Sequence, residues 1–334
     1  LMYTGELTDL ARRNLAADLG PLVARDHFDL AQFNPALLDS AARWQGKLYG
    51  LPVGYGGNGL AVVYNRTLLQ NAGIPEPPTK WGDDSWTWDS MLAAAQKLTK
   101  VAGTTFQQVG WGGLGYYMDL PQLWQTSWIT PDFKTIVCDS AAMIDCYTHL
   151  GDLSAKYHVA PRPGDQSPKG GFLGGTVALA TIGGWQFSDF AKAASLDWAF
   201  APYPKVKVSG AQASPITLQL PQGGKQQEDA WVLLQYLQQD ARQALWQNYV
   251  PVPPDIRAKW AGDLFANKNV RVPVLLDSIA TATAEDNILL TKSWPQMSKA
   301  VGDALKNLQA GTEPAETMLR GLKSQLQGIL DQNG

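Results

Sequence analysis

Apolar positions along the chain fall into short extended runs separated by helical stripes. Residues 48–53 and 60–64 (Leu-Ala-Val-Val-Tyr in the second) read as strands, and residues 54–59 between them carry four glycines in six positions. That glycine-rich loop is expected to be a side-chain-poor crossing between two parts of the molecule. Residues 176–182 form a second apolar strand that stops at Gly183-Gly184-Trp185 and leads into a helix through Phe187 and Phe190. Helical stripes run through Met91, Leu92, Ala95 and Leu98 after an N-cap at Thr87, and through Ile144, Tyr147 and Leu150 after Asp139-Ser140. Further stripes are Ala230, Leu233, Leu234 and Leu237, and a closing one through Met318, Leu319, Leu322, Leu326, Ile329 and Leu330 with Pro314 in its first turn.

Other local signals complete the pattern. Residues 2–4 read as the end of a strand, followed by an amphipathic turn through Leu7, Leu10 and Leu15 that stops near Gly20-Pro21. Residues 44–47 read as a hairpin turn. Residues 109–115 read as a short glycine-rich strand, with a helix beyond it bearing Trp124 and Trp128. Strands alternating with helices predict an α/β fold with mostly parallel pairing.

Length and composition narrow the class. At 334 residues the chain has room for about two domains. A net charge of −3 without acidic or basic blocks points away from nucleic acid. No apolar run approaches a membrane span, and the first ten residues lack the pattern of an export signal. Cys138 and Cys146 stand eight apart, about 12 Å on one helix, and are expected as free thiols rather than a bridge.

The 13 tryptophans change the picture more, because an indole face stacks well on flat apolar partners. Any single one is more often core, and Trp124 and Trp128 are assigned to packing. Gly54, Gly56 and Gly59 spell a dinucleotide fingerprint, but residues 60–64 cannot open the helix it needs, so no cofactor is expected. Cys146, His149 and His158 lack a fourth ligand, so no metal is expected either. Asn65-Arg66-Thr67 has the form of a glycosylation acceptor and nothing more.

The order of motifs resembles the carbohydrate-type extracellular solute-binding proteins of ABC importers, the maltose- and multiple-sugar-binding group. The matching residues are Gly46-Lys47-Leu48-Tyr49-Gly50-Leu51-Pro52, Tyr64-Asn65-Arg66, Ala72-Gly73-Ile74-Pro75 and Trp86-Thr87-Trp88. They continue with Gly175-Thr176-Val177-Ala178-Leu179, Gly184-Trp185, Ala230-Trp231-Val232-Leu233 and Gly311-Thr312-Glu313-Pro314-Ala315-Glu316. Arg66, Thr176 and the closing Ala-Glu-Thr-Met depart from the family pattern at positions outside the expected contacts. The family's opening export signal and strand-helix-strand unit have no counterpart among these residues, so the first lobe is expected to be incomplete at its start.

The resemblance implies a two-lobe periplasmic-binding-protein-like (type II) α/β fold with a cleft between the lobes. The lobes are expected at 1–58 plus 213–288 and at 60–208 plus 290–334, with crossings at 54–59, 204–215 and 289–294. It also implies a non-catalytic monomeric receptor, periplasmic or extracellular, free or anchored as a lipoprotein, whose partners are a sugar or oligosaccharide and a membrane permease. A sugar presents a CH-rich face and hydroxyls, so the cleft wants aromatic platforms beside polar side chains. Trp185, in the Gly-x-Trp motif, is the first candidate. Of Tyr116 and Tyr117, one is expected to face the cleft and the other to pack. Asp119 could accept hydroxyls or cap a helix, Tyr55 and Asn58 lie in the crossing loop, and Trp294 lies at the third crossing. Two alternatives stay open: a glycosidase-like enzyme using Asp83, Asp84 or Asp119, and the same receptor fold for a different polar solute.

Overall fold

The computed structural model describes residues 4–59, 61–112, 117–118, 120–193, 195–238, 250, 254–266, 269–282 and 291–333. Thr4 opens a helix, α1 (Thr4–Arg12), where the sequence reads as a strand end; Met2 and Tyr3 lie outside the described residues. Leu7 and Ala11 on α1 are buried, but the helix ends before Leu15, because Asn14 turns into the left-handed region (φ 55°). Gly20-Pro21 begins rather than ends an element. It opens α2 (Gly20–Arg25), where a proline in the first turn has no amide to lose. After α3 (Pro35–Ala42), the expected hairpin forms from β1 (Arg43–Trp44) and β2 (Lys47–Leu48), with Gln45 and Gly46 both at positive φ.

The glycine-rich stretch is not a loop. It is part of one nine-residue strand, β3 (Leu51–Gly59). It pairs antiparallel with β9 (Gln212–Leu218), from Leu51 opposite Leu218 to Gly59 opposite Gln212. The register slips between Pro52 and Gly54 and between Gly56 and Gly59. Glycines bend a strand at bulges without breaking its ladder, so this sequence gives an irregular strand instead of a turn.

The second sheet has five strands in the order β5-β6-β7-β4-β8. These are β4 (Ala61–Asn65), β5 (Lys100–Ala102), β6 (Thr105–Trp111), β7 (Val177–Ile182) and β8 (Trp198–Ala201). Only β6 and β7 pair in parallel among the described strands, so the expectation of mostly parallel pairing is corrected. The reason lies in the connections. The segments between β6 and β7 and between β7 and β8 are crossovers, and the second leaves a slot that β4 fills in the opposite direction. All residues of β4, β7 and β8 are buried, which accounts for their largely apolar composition.

Helices cover this sheet. Asn65 caps α4 (Arg66–Asn71), accepting from the Leu68 amide at 3.1 Å. Thr87 caps α5 (Trp88–Leu98) in a reciprocal box with Ser90, and Ser140 caps α6 (Ala141–Ala155). Leu120–Trp124 is a single 3-10 turn, not the helix expected through Trp128, and both tryptophans are fully buried. Beyond α7 (Phe187–Lys192) come α8 (Gln227–Tyr236), α9 (Pro254–Leu264), α10 (Val272–Ala280), α11 (Trp294–Ala310) and α12 (Ala315–Asn333). α6, α11 and α12 pack together, with Gly151 letting Leu308 approach.

α8 lies beside α2, where Trp231 donates to Asp26 at 2.7 Å and meets the Phe28 ring edge-on. α9 and α10 instead lie with the sheet. Trp260 packs on Phe187, and Phe265 packs on Trp198 and Phe200. The Phe200 amide donates to the carbonyl of Val270, just before α10. On α8 the stripe turns out differently from the reading: Trp231 and Leu234 are buried while Leu233 is exposed. The largest side chain sets the buried face. Arg271, ahead of α10, reaches Glu76 at 2.6 Å, and Glu76 also binds Arg66 and the Tyr64 hydroxyl. Burial and that hydrogen bond to Glu76 push the Tyr64 hydroxyl pKa well up.

Candidate functional site

The site grows from the end of β7. Ile182 is the last strand residue, Gly183 is extended (φ −101°, ψ 157°), and Gly184–Gln186 makes one tight turn before α7. The Gln186 Oε1 accepts from the Gly183 amide at 3.0 Å and closes that turn. Trp185 at its apex is 44% exposed, and among the described tryptophans it alone is exposed. Its indole folds back over Gly183: a Cβ there would stand 2.5 Å from Cη2 and 2.7 Å from Cζ2 and Cζ3. Any residue but glycine at 183 would therefore move the ring. The turn also touches β3, so the end of β7 and the bulged strand meet at this place.

Beside the turn is a pocket of about 340 Å³, walled by Gly171, Phe172, Thr181, Gln186 and Asp189 over a floor that includes Gly112. Phe172 stacks on Phe190 at 5.4 Å between ring centres and forms its apolar wall. Thr181 is 6% exposed, and its hydroxyl has no hydrogen-bond partner among the described residues. Among the described residues the pocket lining holds one carboxylate, that of Asp189, and no cationic side chain. Sequence reading singled out neither Thr181, Gln186 nor Asp189. A threonine in an apolar run reads as a β-branched strand residue, and the one usable signal was its position two residues before a glycine turn.

The other expected residues are distributed as follows. Tyr117 is half-buried and donates to the Ser298 carbonyl on α11 at 3.3 Å, over Gly302, while its own carbonyl accepts from the Tyr147 hydroxyl at 2.8 Å. Tyr116 and Asp119 lie outside the described residues. Tyr55 and Asn58 are on β3, Tyr55 opposite Pro215, and their side chains lie outside the described residues. Trp294 is the first residue of α11, half-buried against the core. The structure thus gathers Trp185 with residues of β7 and α7, and holds Tyr117 and Trp294 on α11.

Two of the three carboxylates weighed for hydrolysis, Asp83 and Asp84, are engaged locally. Asp83 accepts from the Ser85 amide and hydroxyl, which hold its pKa below the usual carboxylate range, and Asp84 pairs with Lys205 on the surface. Both cysteines are free and buried; burial pushes the Cys138 thiol up to about 12. Among the described residues no group of three or more His, Cys, Asp or Glu could hold a metal ion.

A five-stranded sheet with helical cover, joined to a two-stranded ladder beside an aromatic-tipped turn, defines a mixed α/β periplasmic-binding-protein fold. Residues 1–244 match the family model described as bacterial extracellular solute-binding protein, and the chain belongs to that family. The sugar-binding protein MalE from the phytopathogen Xanthomonas citri superimposes with a TM-score of 0.80 at 17% identity, over 99% of this chain and 83% of that one. An ABC substrate-binding protein from Listeria monocytogenes, solved in complex with cycloalternan, gives 0.78 at 20% identity, over 98% and 83%. UgpB from Mycobacterium tuberculosis, solved with glycerophosphocholine, gives 0.76 at 16%, over 98% and 82%. Membership of that family makes the protein a solute-binding one, a non-enzymatic role. The glycosidase alternative falls with that assignment. Among the described residues no helix is long and apolar enough to cross a membrane.

Proposed function

We propose that the protein captures a sugar or oligosaccharide outside the cytoplasmic membrane and delivers it to the permease, with Trp185 as the stacking platform. The single observation that carries this reading is the exposed indole on its glycine turn, beside a pocket whose described lining offers hydroxyl, amide and carboxylate groups but no cation. A pyranose presents a CH-rich face to such a ring and hydroxyls to such neighbours. A phosphate-bearing solute would call for Arg or Lys at the same place. Tyr55, Asn58, Tyr116 and Asp119 are proposed as further contacts, with Tyr117 and Trp294 behind them.

The two-lobe arrangement is proposed with residues 1–58 and 213–238 on one side and 61–208 with the segment from α9 onward on the other, which moves α9 and α10 out of the lobe expected to run to residue 288. The support for that boundary is the packing of α8 on α2 and of α9 and α10 on β8. Ligand would favour the closed form because only that form lets both lobes touch it.

The test is a thermal-shift and calorimetric screen with gluco-, galacto- and xylo-oligosaccharides of one to three rings, with glycerophosphocholine and spermidine as counter-ligands. Saturable stabilisation by a saccharide without turnover is the expected result. Stabilisation by the phosphodiester or the polyamine alone would replace the sugar in this reading.

A further inference from the structure

The end of the larger sheet far from Trp185 holds a second cavity, which the solute site does not use. Trp185 follows Ile182 of β7, which lies opposite Ala61 at the start of β4, whereas α4 leaves the other end of β4 after Asn65. The length of β4 puts roughly 13 Å between those two ends. At the far end a cavity of about 400 Å³ opens between the last turns of α4 and α5 and the β5–β6 hairpin. Its lining is Leu68, Asn71 and Ala72 at the end of α4, Lys97 on α5, Lys100 on β5 and Gln108 on β6. The volume lies within the usual range of small-ligand pockets, roughly 300–1,000 Å³. Lys97 and Lys100 are exposed, and neither side chain makes an ion pair or a hydrogen bond among the described residues. The described lining holds no carboxylate. Nor are the lysines spent on closing the helix ends. The α5 carbonyls of Ala95, Gln96 and Leu98 accept from the Thr99 hydroxyl at 2.7 Å, the Thr99 amide and the Gln108 Nε2. On α4 the carbonyls of Leu68, Leu69 and Gln70 accept from the amides of residues 72–74. Gln108 is 8% exposed and held by that bond, so it forms a fixed wall.

We propose that this cavity is a second binding site, separate from the solute cleft, and that it takes a phosphate monoester. Two ammonium groups on one cavity match the charge of a phosphate monoester, close to two at neutral pH, and lysine binds such a group as a point charge. The Asn71 amide can donate to a further phosphate oxygen, and Leu68 and Ala72 offer an apolar surface to the organic part of the ester. A neutral sugar would leave both charges unanswered. Lys97 by itself suits the dipole at the end of α5, but Lys100 belongs to a strand and gains nothing from that helix end. A soluble ester and the headgroup of a membrane lipid present the same phosphate, and both reach an open cavity on the surface. Such a site works whatever solute Trp185 receives.

The experiment is calorimetric titration of the full chain with glycerol phosphate at low salt, together with sedimentation against vesicles of phosphatidylcholine carrying or lacking phosphatidic acid. Three variants accompany the wild type: Lys97→Gln combined with Lys100→Gln, Trp185→Ala, and a control pair, Lys47→Gln with Lys225→Gln, that removes the same charge elsewhere. The expected result is saturable binding that weakens about tenfold in the Lys97/Lys100 variant, persists in Trp185→Ala and in the control pair, and declines as salt rises. The unfolding midpoint of the Lys97/Lys100 variant should stay near that of the wild type, since both side chains are exposed. Sedimentation that requires phosphatidic acid and both lysines supports the site and makes its occupant a lipid headgroup. Binding of glycerol phosphate without sedimentation supports it and makes the occupant a soluble ester. Equal weakening in the control pair would mean general charge attraction instead of a site, and overturns the proposal. Loss in Trp185→Ala would put the ester in the solute cleft and overturns it as well. If neither glycerol phosphate nor the vesicles bind, while the Lys97/Lys100 variant unfolds earlier, the lysines serve only the helix end and the sheet edge. No binding with an unchanged midpoint rejects the site equally.

Discussion

The five-stranded sheet and the β3–β9 ladder are joined through adjacent strands, yet they treat their apolar side chains differently. Around the larger sheet the exposed large hydrophobic residues among those described are Leu173 and Trp185, one lining the pocket and the other beside it. Near the ladder they are Leu15 and, on α8, Val232, Leu233 and Tyr236. A sheet in which β4, β7 and β8 are completely buried makes a single exposed indole informative. Among the described residues the ladder offers only two strands to bury helices against, and the exposure of Leu233 and Tyr236 goes with that smaller cover. Exposure alone therefore says little, and exposure against a saturated core says much.

Mutations should separate these cases. The largest effect is expected inside the sheet. Trp198→Ala removes a ring packed on Phe190, Phe200 and Phe265, and should cost about 3–5 kcal/mol of stability in denaturant unfolding. Trp185→Ala should invert that pattern, weakening saccharide binding by about 2 kcal/mol, roughly thirtyfold, with a change in unfolding midpoint of no more than a few degrees. Gly183→Ala is subtler: its methyl displaces the indole from below and should cost roughly fivefold in affinity while the far-ultraviolet spectrum stays unchanged. Leu233→Ser should alter stability by no more than about 0.5 kcal/mol, and a larger loss would show that α8 is covered after all.

A pH series probes the ladder side through Asp26. Its hydrogen bonds with Arg25 and Trp231 hold the carboxylate pKa at about 2. A depressed pKa stabilises the fold above the unfolded value, and that contribution disappears as the pH falls from about 4 toward about 2. Wild type should therefore exceed Asp26→Asn in unfolding midpoint at neutral pH, with the gap closing across that window. A gap that persisted at pH 2 would mean that Asp26 contributes nothing through its charge.

Much of this architecture was legible before any coordinates. Caps at Thr87 and Ser140 declare themselves locally, and the buried strand through Val177 and Ile182 is an apolar run stopped by glycines. Trp185 was legible from its motif and its turn. Features set by distant partners were not. Whether Gly54 and Gly56 form a loop or a strand depends on Ile216 and Ser214, which supply the ladder from more than a hundred and fifty residues away. The direction of β4 depends on crossovers formed much later in the chain. Thr181 looked like any β-branched strand residue, because an unpartnered hydroxyl is a property of its surroundings and leaves no trace in local pattern.

The β3–β9 pairing also sets an order of assembly. All strands of the larger sheet fall between residues 61 and 201, inside the interval that β3 and β9 bracket. On the ribosome, Gly59 emerges 153 residues before its partner Gln212, since 212 − 59 = 153. At 5–20 residues per second that is a wait of roughly 8–30 s, long compared with strand pairing and helix formation. The nascent chain can therefore pair its sheet strands while β3 is still unmatched, and the ladder that ties the two parts together closes after them.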